Sequence, residues 1–435
     1  MTNLLKMSLG SVVGGTVLLG ILSLGFVTGG MSVFQPATAF WPRQTVAYFV
    51  DNTAKPGTTS QYTLQSEPWE HYQTGHAHGS SSDAAIQAAE HGMVYSEGLA
   101  RAAKEVAHFY GQTRRLAPSN MLAFFLDAGG APYWGVRQSV LITTERGQGP
   151  VRELLSDIKT KRQLEHHVGV GYYCTQGIRV VVLLSAQKTF SLRAVPRRLP
   201  AKIRTVFSGR LEPGYSQPSV LVMGASGTIE QLEVRTKGEH FSFPFSKDTG
   251  HWTLEIIATG PAGPIPLAQL SLLVDKPLPR TSRHKWPVNE EAIRDPKAYL
   301  TQLINEARRK AGVGPLKRIH ALDEVASYHS QDMRLHGFVG HYSPRTGMIE
   351  QRLRRIAYPR YTYGENVALN GSIADAHEGL MASLGHRNNL LSRAYTELGV
   401  GLRRNENGWY ITQIFSAPGP VSGPSALTRS PLARN

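Results

Sequence analysis

At 435 residues the chain is too long for one ordinary compact domain and long enough for about three. Its 41% of apolar residues can build cores, and its single cysteine excludes a scaffold stapled by internal disulfides. A formal charge of +15 makes an anionic envelope surface a candidate partner, whereas the lack of interleaved aromatic and basic residues argues against nucleic acid.

Residues Met1 to Lys6 make a short basic start, followed by an uncharged run from Met7 to Pro42 that is most apolar between Val12 and Val27. Ala37-Thr38-Ala39 has the small-x-small form of a cleavage site, so residues 1–39 read as a signal peptide or, if uncleaved, a membrane anchor. With Lys6 inside and Arg43 outside, the remainder is expected beyond the cytoplasmic membrane: secreted, periplasmic, or membrane-anchored and facing outward. Residues 40–84 read as a polar linker. Its His71, His76 and His78, with His91 just beyond, are expected on a solvated segment rather than around a metal.

From 85 to 200 a helix with Leu99, Ala102, Ala103, Val106 and Tyr110 on one face leads to a buried strand over Val180 to Leu184. Cys174, before that strand, reads as a small buried hydrophobe. Residues 201–275 change to short alternating runs divided by turns such as Asp248-Thr249-Gly250, which predicts a β-sandwich. A Pro- and Arg-containing linker, 276–294, leads to a last domain at 295–417, and 418–435 reads as a disordered tail. In the last domain the helix face is Leu322, Val325, Ala326, His329 and Met333, at the same offsets as before, and the strand runs from Trp409 to Phe415. Gly169-Val170-Gly171 and Gly399-Val400-Gly401 stand at matching places between helix and strand, which predicts a diverged internal duplication. His167 stands where Glu397 stands, and no histidine lies between His108 and His166, so the first copy is expected to keep the scaffold without the site.

The candidate site is His341, Glu365, His386 and Glu397, in the strings Gly340-His341-Tyr342-Ser343-Pro344, Gly364-Glu365-Asn366, Gly385-His386-Arg387-Asn388-Asn389 and Thr396-Glu397-Leu398-Gly399. Each ionisable residue adjoins a glycine or turn former, which allows it to be fixed at the end of an element. Two imidazoles and two carboxylates converging on one cleft can hold a divalent cation or relay a proton. The spacing is not that of a metalloprotease helix. Ser343 and Ser383 lack a third orienting group for a serine triad. His329 falls on the apolar helix face and reads as a core histidine. Asn366 is expected to cap a turn and Asn389 to satisfy backbone groups.

Together with Asn305-Glu306-Ala307-Arg308, Ala311-Gly312-Val313-Gly314-Pro315-Leu316, His329-Ser330-Gln331-Asp332-Met333 and Gly337-Phe338, these strings make residues 295–417 resemble the CAP superfamily. These are the cysteine-rich secretory, antigen 5 and pathogenesis-related proteins, and the likeness is to their disulfide-free bacterial branch. Leu380 and Leu384 depart from the family pattern, where tryptophan and proline are usual. The resemblance implies an α-β-α sandwich with a cleft lined by His341, Glu365, His386 and Glu397, a set that in some relatives binds zinc or another divalent ion. The expected whole is a multidomain α+β chain: a degenerate CAP-like domain, a β-sandwich and an intact CAP domain. The leading expectation is binding of a small apolar, lipid-like or cell-wall-derived ligand, with or without a cation. The alternatives are a metal-dependent hydrolase of peptide or wall material, and an extracytoplasmic adhesion or scaffold module.

Overall fold

The computed structural model describes residues 31–32, 50–51, 59–75, 82–145, 147–159, 166–285, 293–358 and 362–417. The expected export segment, except Met31–Ser32, and the expected tail lie outside the described residues, as do His76 and His78. No helix among the described residues is long and apolar enough to cross a membrane. The chain divides into two compact units, Met1–Gly260 with Ile265–Val288, and Pro261–Pro264 with Asn289–Asn435.

The first unit begins with β1 (Thr59–Thr63), β2 (His71–Tyr72), α1 (Asp83–Glu90), β3 (Val94–Tyr95), α2 (Glu97–Thr113), α3 (Ser119–Gly129), β4 (Arg137–Thr143), α4 (Gly149–Lys159), β5 (His166–Thr175) and β6 (Ile178–Gln187). One sheet has the order β3-β5-β6-β4, with only β3 and β5 parallel. Ser96 caps α2 by accepting the Leu99 N–H at 3.3 Å, and the helix buries Leu99, Ala102, Ala103, Val106 and Tyr110 as its period requires. It can lie close on β5 because a Cβ at Gly169 would stand 2.2 Å from Ala100 N, and one at Gly171 2.2 Å from Ala103 C.

There follow β7 (Phe190–Leu192), β8 (Val195–Pro196), β9 (Arg198–Leu199), β10 (Thr205–Leu211), β11 (Ser216–Met223), β12 (Ile229–Leu232), β13 (Arg235–Lys237), β14 (His240–Phe245), β15 (Gly250–Gly260), β16 (Gly263–Val274) and β17 (Thr281–Lys285). They give a five-stranded sheet, β9-β16-β15-β11-β12, and a four-stranded sheet, β13-β14-β10-β7. Alternate residues turn inward: Phe207, Phe241, Phe243 and Phe245 from one sheet, Val220, Val222, Leu254 and Ile256 from the other. One apolar cluster joins these residues to those under α2 and α3, and a second gathers Ala88, Leu141, Val151, Leu155, Val168 and Val181.

Several sequence expectations change here. Residues 40–84 are not a linker throughout, because β1 pairs with β17 and β2 with β8, and Tyr62, Leu64 and Tyr72 are buried. What holds the segment is Glu105, a buried carboxylate on α2 that accepts from Tyr62 Oη (3.1 Å), the Gln65 and Ser66 N–H groups and Ser66 Oγ (2.8 Å). The same pairing takes 281–285 out of the second linker, and β7 and β9 place the start of the two β-sheets before residue 201. Cys174 is exposed, not buried, because it lies where the β5–β6 hairpin turns at Thr175 and Ile178.

The second unit holds α5 (Pro296–Lys310), β18 (Lys317–Arg318), α6 (His320–His336), α7 (Ile349–Arg355), β19 (Thr362–Asn370), α8 (Ile373–Ala382), α9 (Leu384–Leu391), β20 (Glu397–Asn405) and β21 (Gly408–Ala417). Asp295 caps α5 by accepting the Ala298 N–H at 3.0 Å, with Pro296 in the first turn where no donor is needed. The sheet order is β18-β20-β21-β19. Leu300, Ile304, Ile373, Leu380 and Leu390 from α5, α8 and α9 cover one face, and Leu322, Val325, Ala326, Ile349 and Leu353 from α6 and α7 the other, which makes a three-layer α-β-α sandwich.

This sheet and the first one share strand order and direction. Both α2 and α6 have 17 residues and end in a left-handed cap, Arg114 and Gly337. Gly399 and Gly401 repeat the close approach, since their Cβ atoms would stand 2.5 Å from Leu322 C and 2.1 Å from Ala326 O. In register, His167 occupies the place of Glu397, and Gln138 that of Glu365.

Candidate functional site

His341 lies in the loop that follows α6, which Gly337 ends in a left-handed conformation. Ser343 shapes that loop. Its wholly buried Oγ donates to Asp332 and accepts the N–H groups of Arg345 (3.1 Å) and Thr346 (3.0 Å), so it is a turn brace and not a nucleophile. Glu365 comes from the edge strand β19, opposite Ile414, with 1% of its side chain exposed. The glycine before it is needed for space: a Cβ at Gly364 would stand 2.6 Å from Tyr395 Oη.

Glu365 uses both carboxylate oxygens. Oε1 lies 3.0 Å from His341 Nδ1, and Oε2 accepts from the Arg352 guanidinium. Arg352, 4% exposed, also donates to the carbonyls of Gly347 (2.6 Å) and His341 (3.1 Å). Burial pushes the Glu365 carboxyl up, but the His341 hydrogen bond, the Arg352 charge and the nearby imidazoles outweigh it and hold the group below the ordinary range. The carboxylate is ionised and can only accept, so His341 Nδ1 carries a proton and donates, and Nε2 is the ring nitrogen left free.

His386, on α9, places Nδ1 2.8 Å from Ser383 Oγ. Burial, and then the His341 imidazole, drive its pKa down to about 3. Among the described residues neither Nε2 has a hydrogen-bond partner, and neither is one of the buried unpartnered atoms. Beneath them Asn389 Nδ2 donates to the Glu365 carbonyl (3.2 Å) and Asn366 Oδ1 (3.0 Å), while Asn366 Nδ2 donates to the His386 carbonyl (3.1 Å) and Gln413 Oε1 (3.2 Å). Asn366 is thus a buried tie between β19 and α9, not the turn cap expected of it; Asn389 serves backbone and side chain together. Glu397, at the start of β20, accepts from Tyr358 Oη at 2.7 Å. Burial and that carboxylate raise the Tyr358 phenol.

Among the described residues no three His, Cys, Asp or Glu side chains are grouped so as to hold a metal ion. As arranged, Glu365 is spent on His341 and Arg352 and offers a divalent cation no free oxygen.

Residues 301–415 match the family model of the cysteine-rich secretory protein family, CAP. They form a CAP domain. An uncharacterized membrane protein of Bacillus subtilis, YlbC, is 37% identical over 117 residues, 27% of this chain and 33% of that protein. A second B. subtilis protein, YkwD, is 32% identical over 117 residues, 27% of this chain and 45% of that protein. The chain therefore spans less than half of either relative. Among solved structures, an extracellular protein containing an SCP domain from Bacillus anthracis shares 22% identity over 42% of this chain and 66% of that one, with a TM-score of 0.27. An outer surface protein from Borrelia burgdorferi shares 15% over 30% of this chain and 97% of that one, with a TM-score of 0.28.

The CAP domain thus joins His341 to Glu365, brings His386 near enough for the His341 imidazole to help lower its pKa, and pairs Glu397 with Tyr358. His329 is a core histidine, fully buried with Nε2 2.9 Å from the Gly340 carbonyl. Sequence reasoning missed Arg352, Tyr358 and Gln413, and weighed Ser383 only as a triad member, not as the partner of His386. Arg352 left one signal: with Ile349 and Leu353 it occupies the buried face of α7, where an arginine needs a partner.

Two histidines of the CAP domain give an acid-sensitivity prediction. Burial, partly offset by Glu306, lowers His377 from 6.5 to about 4, and burial lowers His386 from 6.5 to about 3. The unfolded chain binds these protons first, so their contribution is complete above about pH 6.5 and is lost as pH falls toward the folded values. Between pH 7 and 4.5, His377→Gln is expected to lessen the loss of unfolding free energy by about 2 kcal/mol. Urea titrations at both pH values test this, and equal losses in the two proteins would refute it.

Proposed function

We propose that this is an exported CAP-domain protein whose cleft binds a small apolar, lipid-like or cell-wall-derived ligand, with His341 and His386 contacting its polar end. The observation that carries this reading is the division of labour in the two rings: each Nδ1 is tied within the protein, to Glu365 or Ser383, and each Nε2 is left without a partner among the described residues. A carboxylate held by an imidazole and a guanidinium is a weak base, which favours binding over hydrolysis by Glu365. Asn366 and Asn389 support the cleft wall from behind.

Placement outside the cytoplasmic membrane rests on the basic and apolar start of the chain, and one relative is described as a membrane protein. The sheet at 94–187 is read as a degenerate CAP-like copy and the strands at 190–274 as a β-sandwich. Gln138 supports loss of the first copy's site: it stands in the register of Glu365 but bonds the backbone of Ala117, donating from Nε2 to the carbonyl (2.7 Å) and accepting the N–H at Oε1 (3.2 Å).

Native mass spectrometry of the full chain purified from a bacterial envelope tests the binding reading. The expected result is a co-purified ligand of discrete mass that falls at least about tenfold in His341→Ala/His386→Ala, as loss of both polar contacts implies. Equal occupancy in the two proteins would sink it.

A further inference from the structure

We propose that Arg352 is the resident cation of the cleft: its guanidinium takes the carboxylate oxygen that Glu365 would otherwise offer a divalent ion, and makes Glu365 a positioning residue for His341. This rests on the binding reading above and deepens it.

Arg352 lies on the buried face of α7 with Ile349 and Leu353. Its position is fixed by three acceptors, the Glu365 carboxylate and the carbonyls of Gly347 and His341. Two of these belong to the loop that carries His341, so one side chain sets both the loop and the charge beneath it. Its Nε is buried without a hydrogen-bond partner among the described residues, which shows the fork placed for its terminal nitrogens alone. A buried carboxylate needs a positive partner, and here the protein supplies it permanently. A divalent ion would have to displace a guanidinium held at three points to reach Glu365 Oε2.

With its positive charge built in, the cleft has no demand for an anionic or metal-bridged ligand. Glu365 accepts from His341 Nδ1 and leaves Nε2 as the free polar atom of the ring, which suits a ligand with a hydroxyl or amide group at its polar end.

The test is calorimetric titration of zinc chloride into the full chain at neutral pH, with circular dichroism to verify folding. In the wild-type background, His341→Ala/His386→Ala and Glu365→Gln are each expected to leave zinc binding unchanged within about twofold, any remaining sites being elsewhere. Arg352→Met strands Glu365 and is expected to create a site about tenfold tighter than any in the wild type, abolished by adding Glu365→Gln. Arg352→Lys keeps a cation beside Glu365 and should gain no zinc site. A wild-type zinc site that disappears with His341→Ala/His386→Ala or Glu365→Gln would overturn the proposal, as would a folded Arg352→Met that gains no site. If Arg352→Met does not fold, the wild-type and Glu365→Gln comparison still decides. Loss of the co-purified ligand is read by mass and not by zinc heat, so failure of the binding reading is separable from failure of this one.

Discussion

Arg308→Met is expected to destabilise the CAP domain by on the order of 4 kcal/mol, a large share of the roughly 5 to 15 kcal/mol that holds a domain folded. The Arg308 side chain is buried at 1% exposure and donates from Nε to the Gly314 carbonyl (2.7 Å), from Nη1 to Leu390 and Ser392 (both 2.9 Å), and from Nη2 to Tyr395 (3.2 Å). No carboxylate is among these partners. The guanidinium serves as a hub for carbonyls at the end of α9 and in the chain leading to β20, where its charge also opposes the helix dipole. Methionine keeps the aliphatic volume but strands four carbonyls, each at about 1 kcal/mol or more. Lysine is expected to recover only part, because one ammonium cannot reproduce the planar fork. Hydrogen exchange of peptides covering 397–417 is the direct readout, since that region is half of the sheet this hub supports. Unchanged protection in Arg308→Met would refute the assignment.

The second large effect is expected at Gly401. A Cβ there would stand 2.1 Å from Ala326 O and 2.2 Å from Ala326 C, and one at Gly399 2.5 Å from Leu322 C. These are backbone atoms of α6, so no rotamer change can make room and the helix must move off the sheet. Gly401→Ala is therefore expected to cost about 3 kcal/mol, at the upper end of overpacking, and Gly399→Ala/Gly401→Ala more. The same substitution at Gly171 should cost a similar amount in the first unit, where the Cβ would meet Ala103 C at 2.2 Å. Exchange protection in α6 and in α2 separates the two responses. If Gly401→Ala leaves α6 as protected as before, the close approach is not what the glycine provides.

These glycines also mark what could be read without coordinates. Leu322, Val325, Ala326, His329 and Met333 recur at helical spacing, and Gly-Val-Gly is local in the chain, so both the helix and the strand beside it were legible as pattern. The polar segment from 59 to 72 was not. Its strands are short, and what docks them is distant in sequence: the buried Glu105, the strand partners β17 and β8, and the core that takes Tyr62, Leu64 and Tyr72.

The site divides in the same way. By itself the sequence determined which four ionisable residues to consider, because each sits beside a glycine or turn former, and it determined the CAP resemblance through several short strings. Only the tertiary structure decided what those residues do. Arg352 reaches Glu365 from another element, Ser383 holds His386 across the start of α9, and Tyr358 takes Glu397. Whether a carboxylate is a ligand, a base or an orienting acceptor depends on which groups occupy its two oxygens, and those neighbours are set by packing between elements.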